Sequence, residues 1–486
     1  MYRKQTILLF VINLFIIPQI IAQADFESFL KTEIKDPFYE RAHLAVSVRD
    51  VQTGQKLSSF QDKKWMVPAS SLKLVTNLVA YDILGADFRF ETSMYTDGYI
   101  DKSGTLHGNI IVKGGGDPTL GSNRIAGNPD LEKTLQTMVE AIKNHGIREV
   151  KGHIITDESI FTDDPLAPSW QWNDIGNYYA GGAWGINILE NEYKIIFQRD
   201  KMIGSKAEIL YIEPNVPDLS LNGYVMVDKA GTGDNAYIFE GPKHYAKTLR
   251  GTIPFGKSLF PVKGSLPDPP RFLAFRLQEA LKKAGINSED IKTTKEAVPT
   301  DSTQRILRLQ SPPLLQIIQQ ANMESINLYC EAILKMIGHR GSGKGSRWEG
   351  IQFMKKELQK HGLNPDHYHI EDGSGLSVRN QVPAEFLTSF LQVMMKKHGI
   401  ETISKLLPLA GKEGTVKNVL TDSPASGKVR AKSGSMKGVY SLTGYIRSAK
   451  GKHLVFSCMI NGSPAKEIIE NRKHLEIIIT AMYNIF

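Results

Sequence analysis

Cysteine is nearly absent: Cys330 and Cys458 are the two thiols of a 486-residue chain. A fold stapled by disulfides is excluded at that density. Neither cysteine has the spacing of a metal ligand, and each falls in an apolar helix or strand pattern, so two buried thiols are expected. Long apolar runs are scarce too. Beyond the N-terminus no stretch reaches the roughly 20 residues that span a bilayer, which leaves at most peripheral membrane contact. A basic stripe is also lacking. The net charge is +8, but Lys and Arg are scattered and no nucleic-acid motif occurs, which sets nucleic acid aside as a partner. A mildly basic chain suits an anionic polymer or a carboxylate-bearing substrate. No internal repeat is present.

What is there is ample apolar material. The hydrophobic fraction is 41%, and the length calls for two or three domains. The first residues, "MYRKQTILLFVINLFIIPQIIAQADF", put Arg3 and Lys4 before an apolar run from Ile7 to Ile17. Pro18 ends the run, and Ala22 and Ala24 follow. That is the layout of a signal peptide over 1–24, cleaved after Ala22 or Ala24. It predicts an exported protein, periplasmic or extracellular.

Short alternating runs at 38–64 predict a hairpin. From Ser70 to Leu84 the apolar period is helical, with Leu72, Val75, Val79 and Ile83 three or four residues apart. From 86 to 264 the texture is that of strands punctuated by Gly and Asp, as in "LHGNIIVKGGG" and "GHIITDESIF". The prolines of "PVKGSLPDPP" (261–270) read as a linker. Helical periods then return, followed by strands near "VRAKSGSM", "GVYSLTGYIRS" and "HLVFSCMING" and a last helix. The predicted organisation is an α/β body, 25–85 and 265–486, split by a β-rich insertion over 86–264.

Three polar clusters punctuate the body. In "PASSLKLVTN" Ser70 and Lys73 sit at i and i+3, one face of a helix. A serine becomes a nucleophile when a base takes its proton, and a buried lysine can be that base. In "ESINLY" Ser325 and Asn327 stand at the mouth between two helices, where a hydroxyl can relay protons and an amide can hold a lysine and a carbonyl. In "AKSGSM" Lys432, Ser433 and Gly434 lie on a strand. The first two can bind a carboxylate, and the glycine would let a substrate backbone lie against the strand. Each motif also occurs elsewhere, at Ser28–Lys31, Ser463–Lys466, Ser220–Asn222 and Lys102–Gly104. Order and setting separate the main set from these copies: Ser-x-x-Lys opening a helix, Ser-x-Asn joining two helices, Lys-Ser-Gly on a late strand. That is the set of the active-site-serine penicillin-recognising enzymes.

The sequence resembles the D-alanyl-D-alanine carboxypeptidase/endopeptidase family, the class C low-molecular-mass penicillin-binding proteins. "VKGGGDPTL" (112–120), "SPPLLQIIQQANMESINLYCEAIL" (311–334), "EDGSGLSVRN" (371–380), "LPLAGKEGTVKN" (407–418) and "KSGSMKGVYSLTGYI" (432–446) carry the likeness. It implies a transpeptidase/β-lactamase-like α/β domain, an antiparallel sheet flanked by helices, with the insertion between the first two motifs. It implies Ser70 as nucleophile, Lys73 as base, Ser325 as proton relay, and Asn327 positioning Lys73 and the substrate. Lys432 and Ser433 would take the terminal carboxylate. The N–H groups of Ser70 and Ser435 would form the oxyanion hole. Peptidoglycan stem peptides would be the substrate, β-lactams covalent inhibitors, and no metal or organic cofactor is implied. The third motif reads Lys-Ser-Gly here, where Lys-Thr-Gly is usual. Val378 follows "DGSGLS" where some members carry Arg, and Lys437 stands where some carry Gln. The rival reading is a catalytically silent wall-binding protein of the same fold.

Other signals are declined. "GHRGSGK" (338–344) follows a helix and lacks the final Ser or Thr of a phosphate loop. "HYH" (367–369) has no third ligand nearby, "WQW" (170–172) reads as packing, and "DGSGLS" reads as a turn shaping a cleft wall.

Overall fold

The computed structural model describes residues 21–200, 202–299, 303–464 and 468–486. Most of the expected signal peptide, and Lys466, lie outside them. Among the described residues no helix is long and apolar enough to cross a membrane. Two compact units result. One comprises the chain up to Val79, Ile318–Ser325 and Met354–Phe486. The other comprises Ala80–Ile317 and Ile326–Phe353.

The first unit is built on a five-stranded sheet in the order Val429–Met436, Val439–Arg447, His453–Asn461, His43–Asp50, Lys56–Phe60. Every neighbouring pair is antiparallel. Leu44, Val46 and Val48 alternate into one core, where Phe456, Leu442 and Ile478 also lie. Helix Ile468–Ile485 supplies Leu475, Ile478, Ile479 and Met482 to that core. On the opposite face the Ser47 hydroxyl meets Thr388 of helix Ala384–His398 at 2.8 Å. With both faces covered, the central strands read as nearly continuous apolar runs rather than alternating ones. The N-terminal helical residues 21–33 bury Phe26 and Leu30 in the first core.

Among the described residues the second unit holds a mixed five-stranded sheet in the order Ile291–Thr294, Ile154–Asp157, Ile110–Lys113, Glu91–Thr96, Gln304–Gln310, with three further three-stranded sheets. Helices Leu131–Asn144 and Pro269–Lys283 bury apolar faces in its core, Leu135 and Met138 from one and Phe272 and Leu277 from the other.

The expected return to the α/β body at 265 differs from what is found. Pro269–Lys283, Ile291–Thr294 and Gln304–Gln310 all belong to the second unit, and the two strands close the edges of its mixed sheet. The linker reading fails for the same stretch. Phe260–Ser265 is an edge strand, a place where Pro261 costs no ladder bond. Pro269 and Pro270 open a helix whose N-cap, Asp268, accepts from Arg271 N at 3.0 Å. Prolines here mark element starts rather than a gap between domains.

Candidate active site

The turn that carries Ser70 is strained. Ala69 has φ +46°, rare for a residue with a Cβ. It begins a single 3-10 turn, Ala69–Leu72, from which helix Lys73–Leu84 continues. Ser70 therefore stands just before the helix rather than in its first turn, and Lys73 is the first helical residue. The Lys73 side chain is fully buried. Its Nζ lies 2.9 Å from Ser70 Oγ and donates to Ser374 O at 2.7 Å. The separation from Ser70 is that of direct proton transfer.

Ser374 belongs to the "DGSGLS" turn. The buried Asp372 carboxylate organises it, accepting from Gly375 N at 2.8 Å, Ser377 N at 2.6 Å and Asn380 Nδ2 at 2.8 Å. Thr76 Oγ1 donates to Gly373 O at 2.8 Å. A Cβ on Gly375 would stand 2.0 Å from Ala69 O. The turn expected to shape a cleft wall thus presses against the Ser70 turn and holds Lys73. That role was not legible, because a carboxylate spent on backbone amides has no signature beyond Asp followed by glycines and serines.

The strand carrying the third motif is equally close. Ser441 Oγ donates to Pro68 O at 2.7 Å and lies 2.8 Å from Ser71 Oγ. A Cβ on Gly434 would meet Pro68 O and Ser441 Oγ at 2.5 Å and Ser70 N at 2.8 Å. What the missing side chain of Gly434 admits is the Ser70 turn. Lys432 is buried, with its Nζ donating to Ser433 O at 2.7 Å, and Ser433 Oγ donates to Thr415 Oγ1 at 2.8 Å.

Ser325 sits between helices Leu314–Glu324 and Asn327–Ser342 with φ +60°. Such non-glycine strain gathers at functional positions. Asn322 fixes the approach to it, accepting from Asn77 Nδ2 at 3.0 Å and donating to Leu406 O at 3.0 Å. A cavity of about 290 Å³ is lined by Ser70, Ser325, Ser433 and Ser435 together with the loop from Gly414 to Val419. The structure so joins Ser70, Lys73, Ser325, Lys432, Ser433, Gly434 and Ser435 within the first unit. Asn327 belongs to the second unit, where its Nδ2 donates to Tyr179 O at 2.8 Å.

The motif copies are set apart by exposure. Ser28, Lys31, Ser220, Asn222, Lys102 and Ser103 all face solvent. Gly343 ends a helix, so "GHRGSGK" has no strand-to-helix turn. His369 pairs with Glu371 at 2.6 Å. In "WQW" Trp170 is buried, whereas Trp172 is exposed beside Phe239. Both cysteines are buried and neither is in a disulfide.

A five-stranded antiparallel sheet between helices, with a Ser–Lys pair facing a Lys-Ser-Gly strand, defines a penicillin-recognising serine enzyme. The D-Ala-D-Ala carboxypeptidase 3 (S13) family matches residues 27–482, and the chain belongs to that family. It is a serine-type D-Ala-D-Ala carboxypeptidase by class. D-alanyl-D-alanine carboxypeptidase DacB of Haemophilus influenzae is 25% identical over 452 residues, covering 90% of this chain and 89% of that one. D-alanyl-D-alanine carboxypeptidase of Actinomadura sp. is 28% identical over 450 residues, covering 88% and 79%. The crystal structure of penicillin binding protein 4 (dacB) from Haemophilus influenzae superposes with a TM-score of 0.80 at 24% identity, covering 93% of this chain and 99% of that one.

Proposed function

We propose that the protein is an exported serine DD-peptidase that opens D-Ala-D-Ala termini, D-Ala cross-links, or both, in peptidoglycan stem peptides. The unit containing Ser70 is its catalytic domain. The observation that carries this reading is the buried Lys73 Nζ, 2.9 Å from Ser70 Oγ. Ser70 Oγ attacks the penultimate D-Ala carbonyl while Lys73 takes its proton. The Ser70 and Ser435 amides receive the developing oxyanion, a contribution worth about a hundredfold or more in rate per donor. Lys432 and Ser433 hold the terminal carboxylate. Ser325 passes a proton to the leaving amine, and water then releases the acyl group. A β-lactam presents the same carbonyl and carboxylate and is opened by the same serine, leaving a stable acyl-enzyme. Residues 1–24 act as the export signal.

Labelled penicillin followed by peptide mapping tests the assignment, with defined muropeptides and mass analysis for the products. Label on Ser70 and loss of one D-Ala, or separation of a cross-linked pair, are expected. Label elsewhere, or none, removes Ser70 as nucleophile. N-terminal sequencing of the exported protein should begin at Gln23 or Asp25.

A further inference from the structure

The cavity at Ser70 carries more positive charge than one terminal carboxylate requires. Lys417 and Arg472 line it together with Ser70, Ser433 and Ser435, and no Asp or Glu is among the lining residues. Lys417 is exposed on the Gly414–Val419 loop, and among the described residues no carboxylate pairs with it. The loop's own Glu413 is engaged by Leu409 N at 2.9 Å and by Arg430 at 3.4 Å. Arg472 reaches the cavity from helix Ile468–Ile485. Its buried Nε makes no hydrogen bond, although Glu476 Oε1 lies 3.3 Å away, and that oxygen already accepts from Leu420 N at 2.9 Å. Arg472 thus forms an ion pair with Glu476 that lacks a hydrogen bond at Nε, and it still lines the cavity.

The side of the cavity follows from Thr415. Its hydroxyl accepts from Ser433 Oγ, the group that holds the terminal carboxylate in the reading above, and Lys417 lies two residues further along the same loop. Lys417 therefore lies on the leaving-group side of Ser70, and Arg472 lines the same cavity. A single alanine leaving group has one carboxylate, and Lys432 with Ser433 takes it.

We propose that Lys417 and Arg472 form a second carboxylate subsite that selects substrates whose departing amine carries an additional acidic group. A cross-link presents such a leaving group when its released residue bears a second free carboxylate. The inference rests on the DD-peptidase reading and names the substrate class that reading leaves open.

Two N-acylated peptides test it, identical except that one ends in D-Ala–D-Ala and the other in D-Ala–D-Glu. The readout is the ratio of kcat/KM for the D-Glu peptide to that for the D-Ala peptide. A hydrogen bond to a charged group is worth about ten- to a hundredfold in this ratio. Arg472→Gln should lower the ratio by that factor, and Arg472→Lys should restore part of it. Lys417→Gln, on an exposed loop, should lower it as well and guards against a folding defect in the helix variants. Raising the salt concentration should lower the wild-type ratio in the same direction. An unchanged ratio in both Gln variants, with the D-Ala peptide still cleaved, overturns the subsite and leaves the DD-peptidase standing. Cleavage of neither peptide by the wild type overturns both.

Discussion

Replacing Gly434 by alanine places a methyl 2.5 Å from Pro68 O and Ser441 Oγ and 2.8 Å from Ser70 N. Two of these atoms are backbone and cannot turn aside. Ordinary carbon contacts begin near 3.5 Å, so the strand and the Ser70 turn must part by roughly 1 Å. Overpacking of this kind costs about 1–3 kcal/mol of stability. The same displacement moves the Ser70 amide and Oγ together, and a misplacement of about 1 Å costs on the order of a hundredfold in rate. Gly434→Ala should therefore fold with a modestly lowered midpoint in urea, and its second-order rate of acylation by a fluorescent penicillin should fall about a hundredfold. Acylation within threefold of wild type would refute the reasoning: the close approach of strand Val429–Met436 would then not be what places Ser70.

Lys73→Ala should lower acylation by about a hundred- to ten-thousandfold, as expected when a general base is lost; stopped-flow labelling measures it. Lys432→Ala should reduce kcat/KM about ten- to a hundredfold for a free-acid peptide and much less for its C-terminal amide, and equal losses on both would end the carboxylate role. The buried Asp117 carboxyl is pushed up from 3.8 to about 6, chiefly by burial, against the bonds it accepts from Thr119. A raised acid keeps its proton in the folded state after the unfolded chain has lost it, so its stabilisation is present below pH 3.8 and is lost as pH rises through about 6. Asp117→Asn should thus gain on wild type by on the order of 3 kcal/mol between those limits and hold the gain at neutral pH; denaturant unfolding at several pH values would show it, and a pH-independent difference would not fit.

The parts of the fold that read correctly from sequence were those with a local signal. The strand pair Val439–Arg447 and His453–Asn461 announced itself by apolar runs, and helix Lys73–Leu84 by its period. Ser70, Lys73, Lys432 and Ser433 were visible because their spacing and order constrain one another. The extent of the second unit was not visible. Gln304–Gln310 joins Glu91–Thr96 across more than two hundred residues, and a long-range pairing leaves no mark in either segment. The strained turns at Ala69 and Ser325 were equally hidden, since both residues adopt left-handed backbone only because their surroundings impose it. Gly434 was recognised as a place of close approach, but which neighbour approaches is decided by tertiary packing.

The discontinuous first unit has a consequence for when the protein can act. Strand His43–Asp50 takes its place only when His453–Asn461 arrives beside it, a closure over roughly 400 residues. The strand that backs Ser70, Val429–Met436, likewise follows His43–Asp50 by nearly 380 residues. A nascent or truncated chain lacking that strand has a serine and a lysine but no strand to set them against, and its unpaired sheet edges remain open. Such contacts form late and slowly. The sheet behind Ser70 is therefore complete only once strands Val429–Met436 and His453–Asn461 have joined it.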